Sequence, residues 1–214
     1  MIKVFFDQRQ SAKTNNSFSP SAQKPEMVVK FWRESGHPIV NIDFTPATSD
    51  EIARVHARVY VEGVLAGKVA NGFGNTCNDV AQALPWVVGS MVSAALHAYE
   101  KKESCFSPTS GAHHAHYSGG WGFCTFNHLM LAAVMVHEAG AKSVGLIDLD
   151  CHYGDGSADI IEKLRLDYIK HYTFGVNPPR SGRSADEWLK RLPEILAKMS
   201  SCDLLILNAG GECN

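Results

Sequence analysis

Residues 144–156 read VGLIDLDCHYGDG. Val144 to Ile147 form the short apolar run of a buried strand, and the run passes directly into Asp148, Asp150 and His152 before glycines at 154 and 156. Strand alternation at i, i+2 and i+4 places the two carboxylates and the imidazole on one face. Such a mixed oxygen and nitrogen set can hold a divalent cation and suits zinc or ferrous iron better than calcium. The competing reading is a solvated strand end, but two aspartates and a histidine sharing a strand face are expensive to bury unpaired.

Working outward, strand-like and helical patterns alternate. A strand at 104–106 and a helix at 126–139 precede the 143–149 strand. A helix at 158–164, a strand at 168–174, a helix at 186–199 and a strand at 203–207 follow it. This order predicts an α/β fold, a parallel β-sheet flanked by helices, with ligands gathered at the carboxyl ends of the strands. Upstream, residues 2–6 read as a strand and 11–25 as a loop. Helices are expected over 25–35, 49–54 and 59–66, an irregular loop over 71–79, and a long apolar helix over 80–100 that Pro85 and Gly89 should bend or weaken. No repeat or linker divides the chain, so residues 1–214 are expected to form a single domain.

A net charge of −2 argues against direct nucleic-acid binding, which needs a basic surface. No apolar run of membrane-spanning length stands out. The six cysteines form no CxxC pair and the opening MIKVFFDQ is unlike a secretory leader, so reduced thiols and a cytoplasmic location are the expectation. Cys124 and Cys151 are expected to be small buried core residues.

A second cluster, SPTSGAHHAHYSGGWGFCTFN at 107–127, follows the 104–106 strand and so should sit at another carboxyl end of the same sheet. The adjacent His113 and His114 could be metal ligands, surface residues or the remnant of a tag; two loops converging on one sheet edge favour a site. A metal with an open position lowers the pKa of bound water and polarises a carbonyl, while a neighbouring imidazole takes the proton; that combination hydrolyses amides or esters. Asp148 and Asp155 are the nearest carboxylates able to orient the histidines.

GAHHA, GFCTFN and DLDCHYGDG, in this order, resemble the histone deacetylase and acetylpolyamine amidohydrolase family, and DEIARVHARVYVEGV at 50–64 and NAGGE at 208–212 extend the similarity. The resemblance implies an arginase/deacetylase-like fold and a zinc-dependent deacylase acting on acetylated lysine or a small acetylated amine. It makes His113 and His114 the tandem catalytic histidines, with His114 the general base, and sets Asp148 and Asp155 behind them. It makes Asp150 and His152 zinc ligands, with iron(II) as the alternative ion and a potassium site beside Asp148 and Asp150. Gly122 and Phe123 match the wall of an acyl-lysine tunnel, Phe174 is a candidate for the opposite wall, and the 71–79 loop is a candidate rim.

Glu212 stands where the family has an aspartate ligand. It reads either as the third ligand, reaching one methylene further, or as the frayed end of the chain. The family continues through a further loop and a tyrosine that steadies the oxyanion, so the chain reads as the amino-terminal and central part of a catalytic domain, C-terminally truncated. An exposed sheet edge would then favour homo-oligomers. A binding module for metal or acyl-lysine, or a fragment needing a partner chain, are the alternatives. A binuclear manganese site of the arginase type would need more carboxylates.

Overall fold

The computed structural model describes residues 1–176 and 182–209. Its strands are β1 (Ile2–Val4), β2 (Ile39–Asn41), β3 (Cys105–Phe106), β4 (Val144–Asp148), β5 (Ile169–Thr173) and β6 (Leu204–Asn208). Its α-helices are α1 (Lys24–Glu34), α2 (Ser49–Ile52), α3 (Arg58–Leu65), α4 (Asn78–Lys101), α5 (His128–Glu138), α6 (Asp155–Leu164), α7 (Gly182–Leu189) and α8 (Leu192–Met199). All strand pairings are parallel, as the alternation predicts.

Four local expectations need correction. Among the described residues the strands form two three-stranded sheets, β2-β1-β3 and β5-β4-β6, so the histidine loop after β3 and the DLD stretch after β4 leave different sheets. β2 is an added strand, and the single helix foreseen at 186–199 is two, the second opening with a proline in its first turn. The 71–79 loop ends earlier, because Asn78 and Asp79 open α4. That helix is continuous through Pro85, and Gly89 serves close packing: a Cβ there would fall 2.3 Å from the carbonyl oxygen of Thr45.

All five residues of β4 are buried. Val144 and Leu146 join the main core, where α4 packs on α5, whereas Ile147 meets Ile195 and Met199 of α8 on the other face. The period of two therefore directs Asp148, at the strand's end, to the Leu146 face. α4 has the length and hydropathy to cross a membrane by composition alone, contrary to expectation, but 61% of its apolar window is buried in the fold.

Candidate active site

The two loops meet although their strands lie in different sheets. α6 begins beneath the histidine loop: the Ser157 amide donates to the His113 carbonyl at 3.0 Å, and Gly156 makes this approach possible, since a Cβ there would fall 2.5 Å from the Ala115 carbonyl oxygen. Asp148 from β4 and Asp155 from the first turn of α6 thereby face adjacent histidines.

His113 Nδ1 lies 2.7 Å from Asp148 Oδ2, and His114 Nδ1 lies 2.6 Å from Asp155 Oδ1. The rings sit 4.1 Å apart between centroids. Because an ionised carboxylate only accepts, each imidazole carries its proton on Nδ1 and turns Nε2 away from its aspartate. Asp148 is wholly buried and its second oxygen accepts from the Asn208 amide at 2.7 Å and the Asp150 backbone at 3.2 Å. Asp155 is shared: its other oxygen is 3.3 Å from His116 Nε2.

Burial works to lower the His113 pKa, but the hydrogen bond and charge of Asp148 and the fields of Asp150 and Asp155 outweigh it and hold the imidazole above its ordinary value. Burial likewise works to raise Asp155, yet its bonds to His114, His116 and the Gly156 amide hold it below the usual carboxylate range.

β4 ends at Asp148 and the chain bends through residues 150–152, so strand alternation does not continue and the three expected residues divide. Asp148 turns inward to His113, Asp150 is buried in front of it, and the His152 side chain is 56% exposed. His152 Nδ1 is 3.0 Å and His113 Nε2 3.8 Å from the same oxygen of Asp150. Among the described residues no lysine or arginine pairs with Asp148, Asp150 or Asp155, whose ion-pair partners are imidazoles. Concentrated, buried negative charge with nitrogen donors alongside is a set that fits a divalent cation. Glu212 lies outside the described residues.

A cavity of about 910 Å³ runs from these groups along the edges of β3 and β6. Its mouth carries Trp121, whose ring lies 4.5 Å from that of His114, and Phe123, flanked by Phe18 at 5.4 Å and Phe73 at 5.7 Å. Gly122 has φ +57°, and a Cβ there would fall 2.7 Å from His114 Cδ2, so glycine is what lets the wall close on the histidine. Phe174 is buried against Trp188. Asn208, Trp121 and His116 were not foreseen: Asn208 stands opposite Asp148 only through the β4–β6 register.

A family model for the histone deacetylase domain matches residues 19–200. The chain belongs to the histone deacetylase family. Histone deacetylase 10, chloroplastic, of Oryza sativa subsp. japonica is 30% identical over 147 residues, 59% of this chain and 33% of that protein. The acetylpolyamine amidohydrolase of Mycoplana ramosa is 28% identical over 138 residues, 60% of this chain and 38% of that protein. This family member thus spans about a third of the length of these curated relatives. The crystal structure of acetylpolyamine aminohydrolase from Burkholderia pseudomallei superposes with a TM-score of 0.74 at 16% identity, covering 100% of this chain and 83% of that one, which establishes the shared deacetylase fold.

Proposed function

We propose that this chain carries the catalytic centre of a metal-dependent N-deacylase that hydrolyses acetylated lysine or a small acetylated amine to acetate and the free amine. The observation that carries this reading is the pair of histidine–aspartate dyads, one buried and one half-buried, with ring centroids 4.1 Å apart, set beside Asp150 and His152.

Asp150 and His152 would hold the ion, zinc by preference and iron(II) as the alternative, with Glu212 a further candidate ligand. When bound, the metal supplies a polarised acyl carbonyl and a water of lowered pKa. The protein's own groups do the proton work. His114 Nε2 is open to receive a proton from the attacking water, because its Nδ1–H is committed to Asp155, whose charge then balances the imidazolium. His113, whose Nδ1–H is likewise committed to Asp148, is suited to stabilise the developing oxyanion and to return a proton to the departing amine. Phe123 and Trp121, both on the cavity wall, offer flat apolar faces to a methylene chain. In this reading the 71–79 loop is the candidate rim that selects substrate.

Metal content and hydrolysis of a fluorogenic acetyl-lysine substrate, measured on one sample with and without chelator, test the reading. About one metal per chain with chelator-sensitive turnover supports it. Turnover that survives both chelation and His114→Ala refutes it.

A further inference from the structure

The loop that carries His113 and His114 holds a third histidine, His116, which the chemistry above does not use. Its backbone is pinned on both sides: the amide donates to the Gly119 carbonyl at 2.8 Å, and the carbonyl accepts from His56 Nδ1 at 2.9 Å. Its ring reaches α6, where Asp155 and Asp159 stand one turn apart on the same face. His116 Nε2 lies 3.3 Å from Asp155 Oδ2. On the other side of the ring, Nδ1 lies 3.6 Å from Asp159 Oδ2, an oxygen that also accepts from the Tyr117 amide at 2.8 Å. Because an ionised carboxylate only accepts, the bond to Asp155 needs the proton on His116 Nε2. Asp155 is then gripped by two imidazoles, by His114 from Nδ1 and by His116 from Nε2.

The two dyads need different help to stay oriented. Asp148 is wholly buried, and the oxygen it turns away from His113 accepts from the Asn208 amide at 2.7 Å and the Asp150 backbone at 3.2 Å. The Asp155 side chain is 28% exposed. Its Oδ1 accepts from His114 Nδ1 at 2.6 Å and the Gly156 amide at 2.9 Å, while its Oδ2 receives its bond from His116. The terminal torsion of an aspartate is soft, so a carboxylate held by one oxygen turns readily and carries its imidazole partner with it. We propose that His116 is a positioning residue for His114: by donating to Asp155 Oδ2 it fixes the carboxylate plane and thereby the direction of His114 Nε2. His116 does for the half-buried dyad what Asn208 does for the buried one. The inference rests on the deacylase reading, in which His114 Nε2 takes the proton of the attacking water, and deepens it.

Nitrogen-15 NMR of the histidine rings in the metal-free 214-residue protein reads the bond without substrate. The Nδ1–H protons that His113 and His114 give to their aspartates should appear as downfield ring resonances. His116→Ala should move the His114 resonance and speed its exchange with water, leaving that of His113 in place. His116→Gln keeps an N–H donor of similar reach and should restore the resonance. In the metal-loaded protein with the acetyl-lysine substrate, His116→Ala should lower kcat by about 10- to 100-fold, the scale that misplacing a reacting group by roughly 1 Å costs. KM and metal content should stay the same, and His116→Gln should recover most of the loss. A His114 resonance unmoved by His116→Ala, or equal losses of kcat in the alanine and glutamine variants, would overturn the inference and leave the deacylase reading standing. A resonance that moves as expected in a protein with no turnover before substitution would overturn that reading and uphold the positioning bond.

Discussion

Acidification should unfold this protein through two histidines that never touch the candidate chemistry. His56 and His128 are almost wholly buried, and in both the loss of hydration on burial pulls the imidazole pKa down from 6.5 to about 4. Backbone hydrogen bonds, and for His56 the field of Asp159, oppose the fall without reversing it. The geometry around His56 requires the neutral ring: the Asn127 amide must donate, so Nε2 accepts at 2.8 Å, while Nδ1 serves the His116 carbonyl at 2.9 Å. Protonation would set two donors against each other and untie the histidine loop from the start of α5. His128 places Nε2 3.1 Å from Thr109 Oγ1.

An imidazole that stays neutral in the fold but protonates freely in the unfolded chain makes the unfolded state bind more protons between about pH 4 and 6.5, so stability is intact above that window, falls as pH drops through it and levels off below. Each histidine then contributes about 2 kcal/mol of destabilisation by roughly pH 5, and about 3 kcal/mol at the plateau. Two together, about 4 kcal/mol near pH 5, consume much of the roughly 5–15 kcal/mol typical of a domain. His113 adds no slope here, because the contribution of its raised pKa is complete below the unfolded value and is lost only as pH rises. Urea unfolding at half-unit steps of pH measures the slope, which should approach about 2.7 kcal/mol per unit. Histidine NMR should find two imidazoles that stay neutral to about pH 4, the value burial sets for His56 and His128. A flat stability profile between roughly pH 6.5 and 5, or the absence of such resonances, would refute the argument.

Other substitutions separate the parts of the site. Asp150→Ala should lose bound metal, whereas His114→Ala should retain it and lose about 10²–10⁴-fold in turnover, so elemental analysis alongside the deacylase assay distinguishes ligand from base. Gly122→Ala must place a side chain at φ +57° and 2.7 Å from His114 Cδ2, so a loss of about 1–3 kcal/mol in urea unfolding and reduced turnover are expected together. Leu205 and Leu207 expose 43% and 57% of their surface on β6, which has β4 on one side and borders the cavity on the other. Replacing both with lysine should reduce concentration-dependent association in sedimentation velocity; unchanged association would place the contact elsewhere.

What was legible in the sequence follows from how locally each feature is encoded. β4 is a short apolar run whose five residues are all buried, and the pairing of each histidine with its aspartate was implied by the family resemblance of the GAHHA and DLDCHYGDG motifs. Features that depend on the third dimension were out of reach. Asn208 looks like any polar residue after a strand until β6 pairs with β4 in a register that sets it against Asp148. Gly89 suggests a weak helix until the 45–47 segment is seen lying against it, and His56 falls unremarked between two expected helices until its ring is found holding the Asn127 amide. Cys151, expected as a small core residue from its type alone, is only half-buried, and His152 failed for a related reason: strand alternation was extended four residues beyond the point where β4 ends. The rule that placed Asp148 correctly misplaced its neighbours because a period of two holds only while the ladder does, and here the ladder stops at the residue where the chemistry begins.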